Sequence, residues 1–177
     1  MMIRFTRFNI YLLLPVLALL AGCKTADERK HDKAISSFRL FLEGNPVGGT
    51  ERTDTIEIAG TELHVFNAPF LDESNLAKAA VVDTRNGRFA IQVQYDRHGT
   101  LILDRVTTEN RRRRMAILTQ YGTGKLENLR WLAAPYISSS ITDGVLIFTP
   151  VVSRDEAEQI VLGINNVARK IQKRDSF

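Results

Sequence analysis

"VVDTRNGRFAIQVQY", residues 81–95, holds the clearest alternation in the chain. Asn86-Gly87 is a turn signal, because both residues accept positive φ at little cost. Beyond the turn, Phe89, Ile91, Val93 and Tyr95 share one side of an extended chain, and Ala90, Gln92 and Gln94 share the other. A period of two with one apolar side describes a strand whose buried face needs a cover. The next residues supply one. His98-Gly99 opens a predicted helix in which Leu101, Ile102, Val106 and the stem of Arg105 cover the sheet, ending near "ENRRRR" (109–114).

Further along, "MAILTQY" (115–121), "LRWLAAPYI" (129–137) and "GVLIFTPV" (144–151) read as strands, the first two separated by the loop "GTGKLEN" (122–128). The last element, "SRDEAEQIVLGINNVARKIQ" (153–172), is the best helix signal. Ser153 and Glu156 have capping-box spacing, and Ala157, Ile160, Val161, Ile164, Val167, Ala168 and Ile171 fall on one stripe. Upstream, "TIEIAGTELHVF" (55–66) predicts a hairpin turning at Ala59-Gly60, and "DESNLAKAA" (72–80) predicts a short helix beginning near Asp72. "FRLFLEG" (38–44) predicts a strand burying Phe38, Leu40 and Leu42 on one face. Strands and helices are mixed without strict alternation. That predicts an α+β domain: an antiparallel sheet with two main helices packed on one face.

The front of the chain has another character. Residues 1–22 carry Arg4 and Arg7, then the apolar run "IYLLLPVLALL", then small residues, which is the layout of a signal peptide. About 11 apolar residues are too few for a membrane span of about 20. The sequence "LAGC" at residues 20–23 resembles the bacterial lipobox, which implies cleavage before Cys23 and attachment of acyl chains to it. Two or three such chains hold a protein on a bilayer almost permanently, at about 0.8 kcal/mol per buried methylene. Cys23 is the chain's single cysteine, so the reading is an anchor rather than a disulfide partner or nucleophile. By analogy with lipoprotein sorting, Lys24 in place of an aspartate favours the outer membrane over the inner. The predicted organisation is therefore a leader over residues 1–22, a lipidated polar tether over 23–37, a domain over 38–172 and a tail over 173–177.

Four stretches in order, "APFLDESNLAKAAVV", "GTLILDRVTTENRRRRMAIL", "LAAPYI" and "VVSRDEAEQIVLGI", resemble the head of the first periplasmic domain of SecD. In that family a glycine-started helix ends in a threonine–x–glutamate–asparagine pattern, matched by Thr107, Glu109 and Asn110. A basic turn and a strand follow, matched by residues 114–119. A strand end reading "SAP" is matched by Ala133, Ala134 and Pro135, and a serine- or threonine-led "EEA" helix start by residues 153–157. The likeness spans roughly residues 36–172. The membrane bundle, base subdomain and proton-coupling aspartate of SecD have no counterpart here. The resemblance thus implies fold, a periplasm-facing position and contact with unfolded or exported polypeptide, without implying a motor.

The residues argue against catalysis. No G-x-S-x-G elbow, P-loop or dinucleotide glycine pattern is present, and the serines at 138–140 read as exposed loop residues. His31, His64 and His98 have no ligand spacing, and neither Asp83 nor Asp143 begins a calcium loop, so no metal or other cofactor is expected. Glu156 reads as a capping partner rather than an acid. Removing Arg4 and Arg7 with the leader leaves 22 basic against 20 acidic residues, too even a balance to imply nucleic acid. The run Arg111, Arg112, Arg113 and Arg114 stands out and has two readings: cations offsetting a helix C-terminus, or electrostatic contact with lipid phosphates or an acidic partner. Trp131 and Tyr136 face opposite ways on their strand, so one belongs to the core and the other to the surface. The expected function is a non-catalytic envelope lipoprotein that binds polypeptide or an envelope protein, accessory to export. A structural lipoprotein of a membrane assembly is the second reading, and a hydrolase with an unrecognised site the third.

Overall fold

The computed structural model describes residues 31–45 and 52–175. The leader, Cys23 and most of the expected tether lie outside the described residues. Among the described residues these elements follow in order: β1 (Ala34–Leu42), β2 (Thr53–Ile58), β3 (Thr61–Phe66), a 3-10 turn (Glu73–Asn75), β4 (Leu76–Asp83), β5 (Phe89–Tyr95), α1 (Arg97–Glu109), β6 (Met115–Thr123), β7 (Asn128–Ala133), β8 (Val145–Phe148) and α2 (Arg154–Asp175).

The fold is α+β with every strand pairing antiparallel, as expected, but the single expected sheet divides into three: β1-β6-β7, β4-β5-β8 and the hairpin β2-β3. Helix α2 packs on both three-stranded sheets, through β1 and β6 of one and β4 of the other. Its Ala157, Ile160, Ile164 and Ala168 enter one core with Phe38 and Leu40 of β1, Ile91 and Val93 of β5, and Leu103 of α1. The hairpin covers a smaller cluster in which Phe41, Ile58, Leu63, Val65 and Ala116 are buried. Strand β1 is thus buried on both faces. The expected alternation is corrected at Phe41, which packs edge-on against Trp131 at 5.5 Å.

Several boundaries differ from expectation for physical reasons. Strand β1 begins at Ala34, four residues before Phe38, because residues 34–37 pair with residues 120–123 of β6. The end of the expected tether is therefore strand, with Ser36 and Ser37 buried. The helix expected at Asp72 is a single 3-10 turn: Asp72 caps it through Ser74 N–H at 2.8 Å, and Leu76 then enters β4, where pairing with β5 overrides the helix propensity of "LAKAA". In α1 the buried residues are Gly99, Leu103, Val106 and Thr107, while Leu101 is exposed, because Asp96 caps the helix and sets its rotation. Strand β7 stops at Ala133, so Tyr136 lies beyond it in an isolated bridge to Arg114. Helix α2 continues to Asp175, past the expected end at 172.

Side chains and neighbouring backbone seal two strand edges. Asn165 of α2 accepts from Ala79 N–H at 2.8 Å and donates to Ala79 C=O at 2.9 Å, acting as a missing neighbour for β4, and Gln172 donates to Ala77 C=O at 3.2 Å. On β1, Leu40 exchanges bonds with residues 70 and 71 at 2.9 Å, and Phe38 N–H donates to Glu73 Oε2 at 3.2 Å. No helix among the described residues is long and apolar enough to cross a membrane.

Candidate functional site

The other two edges meet at a groove. Tyr95 N–H donates to Gly144 C=O at 3.0 Å, and that register continues through Val93↔Leu146 and Ile91↔Phe148. In an antiparallel ladder alternate residues turn their backbone groups to the partner. The N–H and C=O of Ile147 therefore point away from β5. Val145 N–H, which also points outward, is taken by Asp143 Oδ1 at 3.0 Å. The groups of Ile147 have no partner among the described residues, and its side chain is 56% exposed.

The facing edge is built by the segment after β7. Met115 N–H donates to Pro135 C=O at 3.0 Å and Ile137 N–H to Arg113 C=O at 2.9 Å. These two bonds flank the Arg114↔Tyr136 bridge and leave the N–H and C=O of Tyr136 turned outward. Tyr136 is 62% exposed. Residues 135–139 and 145–147 line one section of the groove, of about 290 Å³. A second section, of about 570 Å³, continues past Pro135 and Ile147 under the β2-β3 hairpin, where Ile58, Leu63 and Phe148 make it apolar and Arg114 supplies charge. Val151 N–H donates to Leu132 C=O at 2.7 Å and ties β7 to the chain leaving β8.

The arginine run begins just past the helix end. Helix α1 stops at Glu109, and Asn110 caps it by donating to Val106 C=O at 2.9 Å. Arg112 takes positive φ, at 70°. Arg113 donates to Asn110 Oδ1 at 2.7 Å and to Glu43 C=O, and lies 5.3 Å over the Phe66 ring. Arg114 lies 4.4 Å over the Tyr136 ring and donates to its hydroxyl at 2.9 Å. Arg111 and Arg112 are exposed. Within the threonine–x–glutamate–asparagine pattern, Thr107 is buried and accepts from Ile141 N–H at 2.9 Å, Asn110 is the cap and Glu109 is exposed. The pattern is a structural device fixing α1 against the loop that leads to β8.

The remaining candidates are dispersed. His64 bonds Thr55 at 3.0 Å, His98 bonds Asn75 at 3.0 Å, and His31 lies on the opposite flank with its carbonyl bonded to Asn166. Among the described residues no cluster of histidine, cysteine or carboxylate could hold a metal ion. Ser138 and Ser139 are exposed, as expected of loop serines. Half of the capping box forms: Glu156 N–H donates to Ser153 Oγ at 3.2 Å. The Glu156 carboxylate instead accepts from the Tyr121 hydroxyl at 2.5 Å and from Arg130 at 3.2 Å, correcting its expected role. Burial, then the hydrogen bond and charge of Glu156, push the Tyr121 pKa up to about 12, against a smaller opposing effect of Arg130. Tyr95 is also pushed up, by burial and by Asp72.

Of the groove residues, Tyr136 carries a sequence signal, its parity against Trp131. Ile147 was hidden inside an apolar run; the available clue is that both faces of "VLIF" are apolar in a four-residue strand.

The family model described as "SecDF, P1 head subdomain" matches residues 50–168. A solved structure described as "Structure and function of a membrane component SecDF that enhances protein export" is similar at TM-score 0.56 and 21% identity, covering 83% of this chain and 71% of that one. "Crystal structure of SecDF in Super-membrane-facing form" gives TM-score 0.56 and 21% identity, covering 82% of this chain but 21% of that longer one. At these identities the solved structures establish the fold alone. No curated protein matches the chain. With the family model covering well over half of its residues, the chain belongs to the SecDF P1 head subdomain family.

Proposed function

We propose that this domain binds extended polypeptide along the groove between residues 135–137 and β8, as a non-catalytic accessory to protein export. The observation that carries the reading is the pair of outward-facing backbone edges at Tyr136 and Ile147, lining one apolar groove. Unpaired strand edges recognise other backbones, with side-chain pockets adding preference. Relatives described as a membrane component that enhances protein export give the reading its context. The chain spans about a fifth of the longer SecDF structure.

The reading includes placement: Cys23 carries the lipid, the domain faces the periplasm, and the outer membrane is the favoured bilayer. Cys23→Ser tests the anchor. The variant is expected to lose fatty-acid label and membrane association; retained label contradicts the assignment.

Ile147→Pro tests the groove. Proline is tolerated where an edge-strand N–H faces away from the sheet, so the variant keeps the β5-β8 ladder while losing the outward donor. A reduced, carboxymethylated polypeptide that stays unfolded in buffer is expected to bind the native chain and to bind the variant at least fivefold more weakly, with circular dichroism unchanged. Equal binding by a folded variant overturns the proposed site.

A further inference from the structure

The arginine run carries an unusual charge state. Among the described residues no guanidinium of residues 111–114 has a carboxylate partner: the ion pairs present join Arg39 to Glu73, Arg130 to Glu156, and Arg154 to Asp83 and Glu158. Glu43 accepts from the backbone N–H of Arg114 through its carboxylate at 2.6 Å and from Arg113 through its carbonyl. Among the described residues, four neighbouring cations thus stand outside any ion pair.

Arg114 is placed to use that excess. It lines the groove section that includes Pro135 and Ile147. Its guanidinium lies over the Tyr136 ring and gives one bond to the phenol oxygen. A guanidinium has five N–H donors in a planar fork that matches a carboxylate in bidentate geometry. The ring contact and the phenol bond hold the guanidinium in place before a ligand arrives, which lowers the ordering cost of binding. Arg111 and Arg112, both exposed, extend the positive field beside it.

We infer that the groove selects extended segments in which a carboxylate side chain sits beside apolar residues, with Arg114 as the carboxylate receptor. This rests on the polypeptide-binding reading above. A lipid headgroup offers similar oxyanion chemistry, but it has no backbone to pair with the outward-facing groups of Tyr136 and Ile147 in the same groove.

The test uses two labelled decapeptides of alternating valine and threonine, one with a central aspartate and one with asparagine there, titrated into the full chain by fluorescence anisotropy. The aspartate peptide is expected to bind about five- to tenfold more tightly, the range between an exposed pair and a hydrogen bond to a charged group. Arg114→Gln is expected to abolish that difference, bringing the aspartate peptide to the affinity of the asparagine peptide for the same variant. Arg111→Gln with Arg112→Gln, at exposed positions, is expected to reduce the difference about twofold and to flatten its salt dependence. Equal binding of both peptides overturns the selectivity while leaving the groove intact; binding of neither overturns the groove reading as well. If anionic phosphatidylglycerol vesicles bind through these arginines while the peptides are not distinguished, the run belongs to lipid and the inference is wrong.

Discussion

On the flank under α2, Ala79 gives both backbone groups to Asn165, and Leu40 of β1 gives both of its own to residues 70 and 71. On the flank formed by β8 and the segment after β7, Ile147 and Tyr136 keep theirs turned into a groove. The chemistry at the four edges is the same. What differs is the cover: a long helix carrying amides lies over one flank, and short strands bounded by Gly144 and Pro150 leave the other open. Exposed edges are pairing templates that folded proteins ordinarily blunt. A protein that covers two edges, one with a helix amide and one with neighbouring backbone, and leaves two facing each other has separated a structural flank from a binding flank.

That contrast is broken most strongly at Gly163. A Cβ there would stand 2.6 Å from the Ile35 carbonyl carbon and 2.8 Å from Ser36 N, both backbone atoms of β1. Gly163→Val is expected to lift α2 from β1 and cost about 3 kcal/mol, visible as a fall of roughly 6–12 °C in Tm. Asn165→Leu is next. It leaves the Ala79 N–H and C=O unpaired at an enclosed edge, with an expected loss of about 2 kcal/mol in urea unfolding. If that loss is below 0.5 kcal/mol, the sealed flank is not held by its amide.

A third change sharpens the contrast through pH. The ordinary tyrosine pKa is 10.0 and that of Tyr121 in the fold is about 12. Below pH 10 the phenol is protonated in both states and its contribution is complete. Between pH 10 and 12 the unfolded chain loses the proton while the folded chain keeps it, so stability falls as pH rises. Glu156→Gln removes the charge that assists the upward shift, so the urea midpoint is expected to fall less between pH 9.5 and 11.5 than it does in the native chain. An equal fall in both would remove Glu156 from the cause. The smallest effect is expected at Ile147: Ile147→Thr, at a half-exposed position, changes stability by less than about 0.5 kcal/mol while weakening polypeptide binding.

Much of the sealed flank was legible in the sequence. The alternation of Phe89, Ile91, Val93 and Tyr95 fixed β5, and the stripe through Ile160 and Ile164 fixed α2, because burial repeats at the period of the element. Local signals failed where pairing overrode them. "LAKAA" favours a helix, yet β4 forms because β5 needs a neighbour. The capping-box glutamate turned to Tyr121, 35 residues upstream, because a phenol and Arg130 were within reach. The groove was not legible, since it depends on which strands end without a neighbour, a property of the assembled sheets rather than of any window. Only the odd spacing of Trp131 and Tyr136 hinted that an aromatic would stand at the surface.

Backbone amide hydrogen exchange, residue by residue, tests the division between the flanks most directly. The amides of Phe38, Leu40 and Ala79 are expected to be protected in the free chain, and those of Tyr136 and Ile147 to exchange quickly. On adding unfolded polypeptide, Tyr136 and Ile147 are expected to slow by at least tenfold while the sealed edges stay unchanged. Protection of Tyr136 and Ile147 before anything is added, or no slowing when polypeptide is present, would contradict the account.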